Sequence, residues 1–226
     1  MIEFILFPSL TLLVIELYNI DMEKMNLNKK NTQKDWNAFF EKTKDAEPRK
    51  YLVDAIQYVQ NNGTALDIGA GALRDTRYLL DQGFEQVTAM DGEDSIQVIE
   101  KEINDSRLET VISNFEDFDY KENTYDIINA QYSLPFMNKE YFSEIIGKIK
   151  NSLKVNGIFT GTFFGNNDEW NNGTSTAQNF QTKEEVENMF EDFEILDLLE
   201  KEENRQGGTK DIKHWHTLHL IAKKIL

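Results

Sequence analysis

The chain has 226 residues, 40% of them hydrophobic and 12% aromatic, enough for one α/β domain with a full core and too few for two. Its 40 acidic residues against 24 basic ones give a formal charge of −16 at pH 7, which repels a phosphate backbone and sets extended nucleic-acid binding aside. There is no cysteine, hence neither a disulfide framework nor a thiolate metal site, and a reducing, cytoplasmic setting is expected.

The chain opens on "FILFPSLTLLVIELYNI", Phe4 to Ile20. No Lys or Arg precedes this apolar stretch, Pro8 interrupts it, and Glu16 cuts the uncharged run to about a dozen residues, short of the roughly 18 to 20 that a membrane span needs. An anchor or signal is the lesser reading; the plainer ones are a helix packed on the domain or a true start at Met22 or Met25. Residues 1–28 are therefore set apart as an extension, and residues 29–226 as a single domain.

From there strands and helices alternate. Arg49 to Gln60 reads as a helix with Leu52, Ile56 and Val59 on one face, ended by "NNG". "TALDIG" reads as a strand, Ala72 to Gln82 as a helix closed by Gly83, "QVTAMD" as a strand, residues 93–104 as a helix and "ETVIS" as a strand. "YDIINAQY" follows as a strand, Lys139 to Leu153 as a helix, "GIFTGTFFG" as a strand, and Thr182 to Phe190 as a helix with Thr182 as its N-cap. The end, "FEILDLLEKEE", a turn "NRQGGTKD" and "IKHWHTLHLIAKKIL", has the spacing of a hairpin. Such an order predicts an α/β fold on a mainly parallel sheet with an antiparallel C-terminal strand.

The chemistry of that order concentrates in "ALDIGAGALRDTRYLLDQG", residues 65–83. In an open parallel sheet ligands lie outside the carboxyl ends of the strands, and the first strand-to-helix turn borders that crevice. Gly69 and Gly71 let backbone amides approach a ligand, and the following helix points its positive end there. A dinucleotide fingerprint wants a third glycine where Arg74 stands. Asp67, two residues before the first glycine, suits a ligand with an ammonium group.

These residues resemble the class I S-adenosylmethionine-dependent methyltransferases. "LDIGAGAL" is similar to the family's first motif, with Leu73 where a third glycine is usual. Asp91, 24 residues after Asp67, stands where the family's acid binds the ribose hydroxyls, and "SNFEDF" where adenine is flanked, with Asn114 and Phe115 at the contact positions. "YDIINAQYSLPF" is similar to the fourth strand and the loop beneath the methyl donor. The resemblance spans roughly Trp36 to the C-terminus, and "WNAFFEKT", "DTRYLL", "FFGNNDEW" and "KHWHTLHLIAKK" resemble a bacterial tellurite-resistance-type branch. It implies a Rossmann-like three-layer sandwich with a seven-stranded sheet and S-adenosyl-L-methionine as cofactor; no metal is expected, because strand alternation splits His214 and His216 from His219. The implied cofactor contacts are Asp67, Gly69, Ala70, Gly71, Asp75, Thr76, Asp91, Gly92, Asn114, Phe115, Gln131 and Tyr132. A small-molecule acceptor and a monomer or homodimer are expected; a non-catalytic cofactor-binding module and a protein or RNA methyltransferase stay as alternatives.

Duller readings stand beside these. Asp67 reads also as a helix cap, Asp91 as a turn acid, Phe115 as core, and Asp126, at the entrance of its strand, as structural. Strand alternation puts His214 and His216 on one face and His219 on the other. The fifth strand delivers Asp168 and Trp170 to the ligand edge, and the reversed last strand begins there, so His214, His216, Asp168 and Trp170 are expected on the acceptor side with catalytic roles. A solvent-exposed hairpin whose aromatics merely cover the core is the plainer reading.

Overall fold

The computed structural model describes residues 40, 43–173, 175–206 and 212–226. Contacts divide the chain after Lys42, and Thr43–Leu226 forms one unit; the expected extension of residues 1–28 and its boundary lie outside the described residues. The elements are α1 (Lys50–Ile56), β1 (Thr64–Ile68), α2 (Arg74–Asp81), β2 (Gln86–Asp91), α3 (Ser95–Ile103), β3 (Leu108–Ile112), β4 (Tyr125–Ala130), α4 (Phe142–Ser152), β5 (Leu153–Gly165), β6 (Phe180–Gln181), α5 (Lys183–Met189), β7 (Phe193–Gln206) and β8 (Ile212–Lys224).

The sheet runs β3-β2-β1-β4-β5-β8-β7, with the two-residue β6 paired beside the end of β5. The strands from β3 to β5 are parallel, and β8 runs antiparallel to both β5 and β7. This is the expected α/β, Rossmann-like sandwich. Helices cover both faces, which is why β1, β2 and β4 read as apolar runs rather than alternating ones. On one face Leu66, Ile68, Ile128, Phe159 and Phe163 pack with Ile145, Ile146 and Ile149 of α4 and Val186 of α5. On the other, Ala65, Val87, Ile127, Ile158 and Ile221 pack with Leu52 of α1 and Leu79 of α2. Each such aliphatic side chain contributes about 1.5 to 3 kcal/mol by burial.

Thr182 caps α5 as expected: its Oγ1 accepts the Glu185 N–H at 3.1 Å, and Glu185 Oε2 accepts the Thr182 N–H at 2.7 Å. Helix ends are shorter than expected, with α1 stopping at Ile56 and α4 starting at Phe142, β5 begins early at Leu153, and three further differences have a local cause. First, α2 starts at Arg74 rather than Ala72, because Leu73 takes a left-handed conformation (φ 58°). Second, the segment expected as a turn after Glu203 continues as strand to Gln206, where Arg205 pairs with Lys213 and lies 4.5 Å from the Trp215 ring centroid. Third, β6 carries only two paired residues, too few for a periodic pattern to show.

Candidate active site

The first strand-to-helix turn carries the densest polar construction. Asp67, next to last in β1, is fully buried; its Oδ2 accepts from Thr76 Oγ1 at 2.6 Å and its Oδ1 from Asn129 Nδ2 at 2.8 Å. Both partners are neutral donors. Burial, followed by the charge of Asp75, pushes the Asp67 carboxyl up to about 6, against the pull of those two hydrogen bonds. Next to it, Gly69 has φ 68°, and a Cβ there would stand 2.4 Å from the Cβ of Ser133. Only a bare backbone passes Ser133 in that conformation. Gly71 also has positive φ (55°) and donates its N–H to Asp91 Oδ2 at 2.9 Å.

Asp91 ends β2, its other oxygen accepting the Glu93 N–H at 3.0 Å. Burial raises its carboxyl above the ordinary range, and the amides of Gly71, Glu93 and Gly92 pull it back. A carboxylate offers about four lone-pair sites, so after these amides Asp91 retains capacity for a hydroxyl. Beyond it, Asn114 is exposed at the end of β3, its Oδ1 3.7 Å from where a Cβ on Gly92 would stand, while Nδ2 donates to Asp117 Oδ2. Ala70 is buried in the turn. Phe115 is half-buried against the core.

Two expected contacts sit elsewhere. Asp75 is closed by an ion pair with Arg49 (2.7 Å) and by the Arg49 N–H (2.9 Å), which ties the start of α1 to α2. Gln131 is buried, with its carboxamide spent on β5: Nε2 donates to Thr160 Oγ1 at 3.0 Å and Oε1 accepts from Thr162 Oγ1 at 2.7 Å. The polar side chain that β4 sends to the turn is Asn129 instead. Its Oδ1, like the Oγ of Ser133, is buried without a hydrogen-bond partner. Orphaned acceptors of this kind are rare and call for a ligand or water.

At the other end of the carboxyl edge the two segments expected to meet do meet. Trp170 and Trp215 lie 5.2 Å apart between ring centroids, and Phe164 stands 5.8 Å from Trp170 and 5.7 Å from Trp215. Asp168, fully buried, accepts from Lys213 Nζ, from the Trp170 N–H at 3.0 Å and from the His216 N–H at 3.2 Å. All its contacts are internal, so the acid-base role expected of Asp168 gives way to fastening the turn to β8. His216 is also enclosed. Its Nδ1 accepts the Asn167 N–H at 3.1 Å, Nε2 faces Glu200 Oε1 at 2.9 Å, and its ring lies against Gly165. With both nitrogens engaged, it too holds the turn rather than meeting an acceptor. His214 pairs with Asn204 and Glu202 on the exposed side of the hairpin. For the two histidines the β8 pleat is the reason: His219, on the opposite face, is the ring that stacks on Tyr51.

His219 lies 3.5 Å from the Tyr51 ring and 5.9 Å from that of Tyr132. Burial pushes its imidazole down to about 3, so it is neutral. Thr162 Oγ1 and Thr217 Oγ1 each lie 3.0 Å from one of its nitrogens. Tyr132, two residues past the end of β4, has φ 59°, accepts a hydrogen bond from Arg205 (3.2 Å), and is flanked by Arg49 (5.4 Å) and Arg205 (6.0 Å) over its ring. A tyrosine held in the left-handed region costs on the order of 1 to 3 kcal/mol, a strain found mostly at functional positions. Asp126, at the far end of β4, pairs with Lys154 (2.8 Å) and accepts the Thr64 N–H (2.7 Å), a structural role as expected.

The family model described as tellurite resistance protein TehB matches residues 18–209. The chain belongs to the TehB family, a family of S-adenosylmethionine-dependent methyltransferases. Among solved structures, TehB from Haemophilus influenzae is similar with a TM-score of 0.69 at 18% identity, over 82% of this chain and 65% of that one. The chain thus spans just under two thirds of that relative. Burkholderia thailandensis 1,6-didemethyltoxoflavin-N1-methyltransferase, with its substrate and S-adenosylhomocysteine bound, is similar with a TM-score of 0.61 at 18% identity, over 100% of this chain and 94% of that one. The [4+2]-cyclase SpnF is similar with a TM-score of 0.60 at 14% identity, over 77% and 80%. A search of curated proteins finds no match. Among the described residues no helix is long and apolar enough to cross a membrane.

Sequence reasoning passed over Asn129, Ser133, Arg49, Arg205, Lys213 and the Tyr51–His219 stack. Asn129 left a trace, a polar residue inside the otherwise apolar "DIINA" of a strand buried on both faces. Arg205 lay in a segment read as a turn, and Arg49 at a helix start, where a charge draws no notice.

Proposed function

We propose that this chain transfers the methyl group of S-adenosylmethionine to a small-molecule acceptor. The observation that carries the reading is Asp67: a fully buried carboxylate held by two neutral donors, raised to about 6, beside the orphaned oxygens of Asn129 and Ser133. Such a group lacks only a cation, and the α-ammonium of the donor is one. The other residues fit the rest of that molecule: Asp91 for the ribose diol, Gly69 and Gly71 for close backbone approach, Gly92 and Asn114 for adenine.

The bound donor supplies a sulfonium-activated methyl group. The chain's part is then to orient an acceptor and exclude water, and orientation is worth about 7 to 11 kcal/mol in favourable cases. Tyr132, Trp170 and Trp215 wall the acceptor side; Asp168 and His216 hold those walls. Arg49 and Arg205 stand over the Tyr132 ring already paired with Asp75 and Glu203, so they shape the acceptor side without bringing net charge to it.

Calorimetry with S-adenosylmethionine, followed by labelled methyl transfer into a panel of metabolites and oxyanions, tests this. Donor binding together with transfer to a small acceptor is the expected result. Binding with no transfer to any of them would leave a cofactor-holding module, and the cyclase neighbour illustrates that this fold is not tied to one reaction.

A further inference from the structure

Beneath the acceptor side a hydrogen-bonded chain crosses the sheet and returns to the residue where it starts. It begins at the backbone carbonyl of Tyr51 in α1, which accepts from Thr160 Oγ1 at 3.4 Å. Thr160 Oγ1 accepts from Gln131 Nε2 at 3.0 Å, Gln131 Oε1 accepts from Thr162 Oγ1 at 2.7 Å, and Thr162 Oγ1 lies 3.0 Å from His219 Nδ1. His219 Nε2 in turn lies 3.0 Å from Thr217 Oγ1. The imidazole then stacks on the ring of Tyr51 itself, 3.5 Å away with 14° between the planes, and meets the Tyr132 ring edge-on at 5.9 Å. Gln131, Thr160, Thr162, Thr217 and His219 are all buried.

The first link sets the direction of the others. A carbonyl only accepts, so Thr160 spends its one proton on Tyr51 and accepts from Gln131, which turns the Nε2 side of that amide to Thr160 and the Oε1 side to Thr162. Thr162 gives its proton to Oε1 and can only accept from His219. Nδ1 therefore carries the ring hydrogen, and Nε2 is the acceptor for the Thr217 hydroxyl. Run the other way, the chain would turn a lone pair of Thr160 to the Tyr51 carbonyl. Burial, then the charges of Lys201 and Arg205 on β7, push the imidazole down to about 3 against the pull of Glu203, so the ring stays neutral. Both nitrogens are spent inside the chain, and what the residue offers the acceptor side is its face.

We infer that His219 is a positioning residue of the acceptor side, a neutral imidazole locked as the Nδ1–H tautomer, whose ring sets the planes of Tyr51 and Tyr132 and takes no proton in the reaction. The positioning role rests on the proposed methyl transfer; the tautomer does not.

Long-range proton–nitrogen NMR of the full chain labelled at histidine reads the tautomer, and His219→Asn assigns the signals by their loss. A bare Nε2 and a protonated Nδ1, unchanged from about pH 5 to 8, are expected. A protonated Nε2, or a ring that titrates in that range, overturns the inference. Kinetics with the acceptor found by labelled transfer read the positioning. A variant that is only less well folded loses active enzyme and hence kcat, with KM unmoved. His219→Asn, which removes the ring, and Thr162→Val, which keeps the ring but cuts the chain, should each raise the acceptor KM at least fivefold with S-adenosylmethionine affinity within twofold. Thr162→Val carries the test where His219→Asn fails to fold. With the parent transferring methyl, an unmoved acceptor KM in a folded variant, or a donor affinity that falls as far as the acceptor's, overturns the positioning role alone. A parent that transfers methyl to nothing overturns the methyl-transfer reading and the positioning role together.

Discussion

At one end of the carboxyl edge Asp67 is buried against a hydroxyl and a carboxamide; at the other Asp168 is buried against the ammonium of Lys213. Both are acids at strand ends or just past them, and both lie under aromatic or glycine-rich turns. One has its charge answered from within the chain and the other does not. A buried acid that is internally paired holds structure, while one left without a cation is ready for a cationic ligand. That contrast separates the fastening of the rim from the proposed binding of the donor, and substitutions at the two places should fail in different ways.

The largest effect is expected from Lys213→Met. It strands the Asp168 carboxylate without its cation, a loss of about 3 to 5 kcal/mol that lowers the melting temperature by on the order of 10 °C. Donor affinity in the folded fraction should stay within twofold. A melting temperature unchanged from the parent would show that the pair is not what holds the rim.

Asp91→Ala should do the opposite. Removing an acceptor of charged hydrogen bonds from the donor site costs about 1.5 to 3 kcal/mol of S-adenosylmethionine binding. Calorimetry that finds wild-type affinity in this variant removes Asp91 from the donor site.

Next comes Trp170→Ala, which takes away a wall of the acceptor side without touching the donor turn. Methyl transfer should fall at least tenfold, equivalent to about 1.4 kcal/mol of transition-state stabilisation, with donor affinity within twofold. Unchanged turnover would return the tryptophan to a covering role.

How far these two regions could be read from the sequence follows the same division. The turn proposed for the donor was legible as structure because it is local: Asp67, Gly69 and Gly71 lie within five residues, and their spacing reflects one turn whose geometry admits few side chains. Even the departure at Leu73 has a physical account. Its side chain is fully buried, which offsets the cost of the left-handed backbone that a glycine would take freely. The rim was legible only as topology. Strand direction brought "FFGNNDEW" and "KHWH" to one edge, but which side chains turn inward depends on the pleat and on pairs such as Asp168 with Lys213, 45 residues apart. A histidine looks the same in sequence whether it faces an acceptor or, like His216, is closed between Asn167 and Glu200. Gln131 shows the same limit, since nothing in "NAQYS" says that its amide turns to Thr160 and Thr162.

The smallest effect on stability, and the one that reads the contrast most directly, concerns pH and Asp67. In the folded protein without donor its carboxyl is raised to about 6 from an ordinary value of 3.8. Between these values the native state holds a proton that the unfolded chain has released. Stability therefore falls as the pH rises through that window, and the penalty of the buried charge stands in full above it. Asp67→Asn removes the penalty. The new amide keeps an acceptor for Thr76, and Asn129 meets it by turning its own unpartnered Oδ1 inward. The variant should melt about 2 to 4 °C above the parent at pH 7, the equivalent of roughly 1 kcal/mol, and the gap should close by about pH 4. Its donor affinity should collapse, because no carboxylate remains for the ammonium. In the parent, affinity should weaken as the pH drops below about 6, where protonation of Asp67 competes with the cation. Melting curves and calorimetry from pH 4 to 8 check both halves. A variant that melts lower than the parent at pH 7, or a gap that stays constant across the range, would mean that Asp67 is as fully answered within the fold as Asp168 is.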